Sequence, residues 1–252
     1  MEFFAWRYRR RDYEHPRRAF LVRALTLGLF AAGGPLMHPL PALGAAGQPH
    51  GVPPGKSIHR LTGTVSVNAA RATRDTVIRP GDTIVTGADS ELVFVIGKDA
   101  FMLRENSRLE VGDAVGDRHG VDGVISGLRM LSGRILSVFG ERGADQPLQL
   151  DTAIATVGIR GTGLYLEAHP DRSYVCTCYG ETRLQARDDP ASTARVTSEQ
   201  HDDPRFILAA GPAGRRIEPA PVINHTDMEL ILIEELVGRE PPFIGSGVQY
   251  GA

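Results

Sequence analysis

Residues 152–186 read TAIATVGIRGTGLYLEAHPDRSYVCTCYGETRLQA, and this stretch decides the fold. Ala153, Ala155, Val157 and Ile159 alternate with Ile154, Thr156 and Gly158, the spacing of a strand. Arg160-Gly161-Thr162-Gly163 breaks or bends that strand. Residues 164–167 resume it, and His169-Pro170-Asp171 turns the chain. Residues 173–179 make a second strand, Gly180 interrupts it, and 182–186 continue it. Tyr174, Cys176 and Cys178 share one face; Val175, Thr177 and Tyr179 share the other. Both thiols therefore point the same way, and any special chemistry of the chain centres there.

Working outward, the preceding sequence is punctuated strands. Val65 and Val67 alternate with Thr64 and Ser66, and Arg79-Pro80-Gly81-Asp82 is a turn before an extended 83–86. In 91–96, Val93 and Val95 face one side and Leu92, Phe94 and Ile96 the other, so this strand is expected to be buried on both faces. Further strands are expected at 100–104, 108–111, 128–131, 134–139 and 147–151. Short strands with turns between them indicate an all-β domain, and no long amphipathic helix suggests a βαβ layout. Gly158, Gly161 and Gly163 do not form a dinucleotide fingerprint, because no βα unit follows them. Nucleophile elbow, phosphate loop and H-E-x-x-H patterns are absent from the sequence, so a non-enzymatic protein is expected.

Beyond 186 the chain turns polar. Residues 187–203 read as a surface loop, 204–210 as a short docking strand and 211–221 as Pro/Gly-rich connection. A helix is expected at about 227–237, opened by a capping box of Thr226 and Glu229. Leu230, Ile233, Leu236 and Val237 form its apolar stripe, and Gly238 and Pro241-Pro242 end it. The stripe is expected to close an exposed sheet edge.

The first 46 residues read as a targeting segment. Arg17-Arg18-Ala19-Phe20-Leu21 resembles the twin-arginine export motif, with Pro16 and Val22 departing from its usual flanks. The weakly apolar run 24–37 is shorter than the ~20 residues of a membrane span, so no stable span is expected after processing. The resemblance implies a bacterial protein exported to the periplasm. Of 28 basic and 30 acidic residues, seven and three fall within 1–46, which leaves the remainder at a net charge of −6. That balance argues against nucleic acid as a partner. The organisation expected is a signal at 1–46, a linker at 47–56, a β domain at 57–186 and a tail at 187–252.

Four stretches of the β domain together resemble the FecR-type domain, a family named for the ferric-citrate signalling regulators of bacterial envelopes. They are Gly-x-Val-x-Val at 63–67, Pro-Gly-Asp-x-Ile-x-Thr-Gly at 80–87, Leu-x-Gly-Arg at 131–134, and 157–165 with its Ile159-Arg160-Gly161-Thr162 core. The resemblance implies a short β-solenoid of stacked strands. It also implies an exported binding or scaffold module that engages an envelope protein or a glycan. A component of an envelope signalling pathway is the alternative on the same resemblance.

Cys176-Thr177-Cys178 admits three readings. On a regular strand the two Cβ atoms lie about 6–7 Å apart, whereas a disulfide needs ~3.8 Å, so an internal bond requires a bulge. A tetrahedral metal asks its sulfurs to stand only about 3.7 Å apart, which same-face side chains can reach by rotation. His201 and His225 are the candidate further ligands, beside Asp202 and Asp227, which can orient an imidazole. Two Cys and two His would complete a closed site for an ion such as zinc or iron, or the two thiols would form a redox centre. The plainer readings are packed thiols, a solvated turn at His201-Asp202-Asp203, and a helix-start role for Asn224-His225.

Overall fold

The two-residue periodicity is realised along almost the whole described chain. The structure, a computed structural model, describes residues 52–53, 55–115, 124–142 and 148–244. Arg17, Arg18, Phe20 and Leu21 of the expected export signal lie outside the described residues, as does most of the expected linker. The strands are β1 (Ile58–Thr62), β2 (Val65–Val67), β3 (Ala70–Arg71), β4 (Thr83–Thr86), β5 (Glu91–Ile96), β6 (Asp99–Leu103) and β7 (Arg108–Val111). They continue as β8 (Gly127–Val138), β9 (Leu148–Asp151), β10 (Ala155–Ala168), β11 (Arg172–Ala186), β12 (Asp189–Ser198), β13 (Arg205–Leu208) and β14 (Ile217–Pro219). One helix follows, α1 (Asp227–Glu235). The fourteen strands join one mixed, open sheet, so the all-β class with a helical tail holds. Pairing is antiparallel except between β8 and β9.

Three long strands organise the sheet, and each serves two sets of partners. The first half of β8 pairs β7 and β9; its second half, from Gly133, pairs β6 and β10. The start of β11 pairs β13, and from Gly180 onward it pairs β12. Strand β10 passes from β9 to β8 across the register break at residues 160–163, where the sequence shows its glycine cluster. Gly133 and Gly180 sit at these change points with φ of +91° and +87°. A Cβ at Gly133 would meet Ser107 Oγ at 2.1 Å and Ser107 Cα at 2.5 Å. Gly133→Ala is therefore expected to destabilise the domain by about 3 kcal/mol, from left-handed strain plus overpacking. Urea unfolding checks this; a loss below about 1 kcal/mol would mean the bend tolerates a side chain.

Alternation along the central strands buries both faces. Leu92, Phe94, Phe101, Leu103, Ile135, Leu164, Leu166 and Val175 belong to the main core. Their neighbours Val93, Met102, Leu136, Tyr165, Tyr174, Cys176 and Cys178 form a second apolar cluster with Leu230, Ile233 and Leu236 of the tail. Residues 91–96 are thus buried on both sides, as their sequence implies. The helix covers this second face instead of an edge, because that face is apolar and needs a cover.

Two further expectations are revised. Part of the stretch read as a polar loop at 187–203 is β12, which adds to β11. Three of its four buried positions, Asp189, Ser192 and Ser198, are short and polar, and the fourth is Val196; Ser192 donates to Asp189 (2.7 Å) and accepts from the Arg216 amide (2.9 Å). Tyr179 joins the cluster of the cysteines instead of facing away from them. The cause is a bulge, since Gly163 pairs Tyr179 while Leu164 pairs Thr177. Cys178 is the extra residue, and beyond it the alternation is reset.

Candidate metal centre

The bulge places the cysteine strand against two tail segments. His201 follows β12 in a tight turn with φ +54°, and its amide donates to the Cys178 carbonyl at 2.9 Å. His225 immediately precedes Thr226, the N-cap of α1, where the expected capping box is present. The Tyr165 ring stacks on the His225 imidazole, with centroids 4.4 Å apart and planes 14° apart. One donor atom each from Cys176, Cys178, His201 and His225 lies within 4.8 Å of all the others. The structure thus brings together the four side chains singled out in the sequence. Both cysteines are free thiols and fully buried. His225 is buried, and the His201 side chain is 11% exposed.

Hydrogen bonds fix which ring nitrogens face inward. His225 Nδ1 lies 2.6 Å from the Ile223 carbonyl, which can only accept, so Nδ1 carries the proton. His201 Nε2 lies 2.9 Å from Asp227 Oδ1 and donates to that carboxylate. The remaining nitrogens, His201 Nδ1 and His225 Nε2, face each other at 3.0 Å, and Cys176 Sγ stands 3.4 Å from His201 Nδ1. In neutral rings these two nitrogens are both lone pairs, and lone pairs at that distance repel unless a cation or a proton lies between them. Carboxylate and carbonyl partners behind imidazoles are the outer support of metal ligands.

Without an ion, protons do this job. The Cys176 thiol is brought down to about 4 by its hydrogen bond from Cys178, against burial and with help from His201 and His225. His201 rises to about 9: burial opposes this, and the Asp227 and Cys176 contacts prevail. Burial, and then the neighbouring Cys176, push the Cys178 thiol up. A thiolate–imidazolium pair therefore sits beside a protonated second thiol.

Some sequence expectations map elsewhere. Asp202 does not orient His201; it caps its own turn, accepting from Ser198 Oγ and the amides of Glu199 and Gln200. Asp227 takes that role from 26 residues away. Arg160, Gly161 and Thr162 lie at the β10 register break, outside the four-residue group. Arg160 is exposed, and buried Thr162 Oγ1 has no hydrogen-bond partner among the described residues. Sequence reasoning missed Tyr165, whose hydroxyl donates to Glu167 at 2.8 Å. Glu167 in turn accepts from Asn224 and pairs His169. The one sequence signal for Tyr165 is its place at the end of the 157–165 motif.

Cys176, His201 and Asp227 also form a thiol–imidazole–carboxylate line, the order found in activated nucleophiles. Here the sulfur is fully buried, and a second thiol and a second imidazole crowd the same point, leaving no face for a substrate carbonyl.

No family model and no curated protein matches the chain. Two crystal structures of a candidate anti-sigma factor from Parabacteroides distasonis are similar to it at 10% identity, with TM-scores of 0.43 and 0.42. The similarity covers 55% of this chain and 58% of that one, less than two thirds of its length.

Proposed function

We propose that the chain is an exported, non-enzymatic binding or scaffold domain that carries one resident metal ion on Cys176, Cys178, His201 and His225. The observation that carries the metal reading is the pair of inward imidazole nitrogens 3.0 Å apart, each ring tied outward by its other nitrogen. A tetrahedral zinc places its nitrogen and sulfur ligands about 3.3–3.8 Å from one another, and the four donor atoms here lie within 4.8 Å, so shifts of a few tenths of an ångström at the closest pairs and about 1 Å at the widest admit the ion. Two thiolates with a divalent ion make a neutral buried group, which favours zinc or ferrous iron over a monovalent ion. All four positions are filled by protein, as in structural sites. The FecR-type resemblance of 63–67, 80–87, 131–134 and 157–165 supports an envelope setting, with an envelope protein or glycan as partner. A role in envelope signalling rests on the same motifs.

The test is elemental analysis with thiol counting on protein purified from the periplasm of an expressing cell. About one equivalent of zinc or iron is expected, with both thiols unreactive until a chelator is added. Protein that arrives without metal and takes up neither zinc nor ferrous ion on dialysis would overturn the reading.

A further inference from the structure

The four ligands come from three separate pieces of chain: two from β11, one from the turn after β12, one from the start of the tail helix. This distribution decides what the ion does mechanically. Residues 221–244 contribute no strand to the sheet. They are held by side chains. Tyr174 donates to the Pro221 carbonyl, Asn224 to Glu167, and Arg104 to Glu229. His201 and Gln200 both reach Asp227. Helix α1 has nine residues, fewer than the ~12–15 at which an isolated helix becomes even marginal in water. It is therefore helical because it is docked.

Beneath it lies the second apolar cluster, with Val93, Met102, Leu136, Val138, Tyr165 and Tyr174 buried in the docked state. His225 is the ligand that the tail contributes, one residue before the N-cap. An ion bound there ties the helix start to Cys176 and Cys178 on β11 and to His201 in its turn. Without the ion, a single proton shared across 3.0 Å between His201 Nδ1 and His225 Nε2 replaces four ligand bonds at this corner.

From this arrangement we infer that the ion is a latch: its binding holds residues 221–244 on the sheet, and its loss frees them and uncovers the apolar face below. The inference rests on the metal reading above and adds regulation to it. The sheet itself does not depend on the ion, because the main core lies on the other face of β5, β6, β8, β10 and β11 and contains no ligand. The domain thus has two states set by metal supply, differing in one displaced segment.

Hydrogen–deuterium exchange on the exported protein, with zinc and after chelation, tests this, with metal content measured on the same samples. Chelation is expected to speed exchange of amides 228–237 by about tenfold or more and to leave the β10–β11 amides within about twofold. In His225→Gln, zinc is expected to leave tail exchange unchanged. Three results would overturn the latch, and they are distinguishable. No metal uptake removes the site and the latch together. Uptake with unaltered tail exchange leaves the site and removes the latch. Uptake with equal acceleration of the tail and of β10–β11 makes the ion a requirement of the whole fold.

Discussion

Serine in place of either Cys176 or Cys178 is expected to lower zinc affinity on the order of 10²–10³-fold. The size follows from sharing a structural zinc energy of about 10–16 kcal/mol among four ligands, which gives roughly 2.5–4 kcal/mol for each. A serine hydroxyl is not ionised at neutral pH and is a poor ligand for a soft site, so little is recovered. Competition with a chromophoric chelator measures the change. Asp227→Asn is expected to give a smaller loss, about 10–100-fold, because it weakens the orientation of His201 without removing a ligand. Equal affinity for the Cys178→Ser and parent proteins would remove Cys178 from the site. The two classes of variant also separate in the ion-free protein, where serine at the fully buried Cys178 adds a hydroxyl to apolar surroundings and Asp227→Asn does not.

The second large effect is expected at Glu234. Its carboxylate is only 3% exposed on the inner side of α1 and accepts from Tyr179 Oη and from Arg239 Nε at 2.7 Å. Arg239 also donates to the Lys98 carbonyl, so this group ties the end of the tail to the β5–β6 turn. Glu234→Ala leaves a buried phenol and a half-buried guanidinium without their acceptor. Breaking a buried pair costs about 3–5 kcal/mol, and the 30% exposure of Arg239 brings the expectation to about 3 kcal/mol. The loss falls on docking of the tail. If docking is weaker than that, the tail detaches and urea unfolding of the sheet changes little. Tail exchange and urea unfolding measured together distinguish these cases, and no change in either would place Glu234 outside the clamp. Lys56 with Asp75 is the counterexample. Those side chains are 42% and 83% exposed, so Lys56→Ala is expected to leave the urea midpoint unchanged.

Features written in local spacing were legible in the sequence. The two-sided burial of 91–96, the bend at 160–163, the interruption at Gly180 and the Thr226–Glu229 capping box each depend on neighbours a few residues apart. Strand β12 escaped because three of its four buried positions are Asp189, Ser192 and Ser198, with Val196 alone apolar, and polarity read as solvent. The candidate ligands were legible as residue types, but their convergence was not. His201 and His225 lie 25 and 49 positions beyond Cys176, and only the path of β12, β13 and β14 returns the chain to β11. The partnership of His201 with Asp227 was hidden for the same reason, whereas the adjacent Asp202 turned out to serve its own turn.

The bulge at Cys178 bears on how this sequence can change length. Side chains alternate, so inserting or deleting one residue in the second half of β10 would move Leu164 and Leu166 to the helix side and Tyr165 into the main core. Strand β11 holds one extra residue at Cys178, which keeps Tyr179 under the helix beside the thiols, and β10 holds a compensating extra residue at 161–162, so the two strands return to a common register at Arg160 and Glu181. Loss of a single codon between 176 and 179 would remove that excess and shorten the run that holds both candidate ligands, leaving the β10 excess at 161–162 without its counterpart. Descendants of this sequence are free to lengthen or shorten at the connections between strands, while the Cys-Thr-Cys-Tyr run must keep its count.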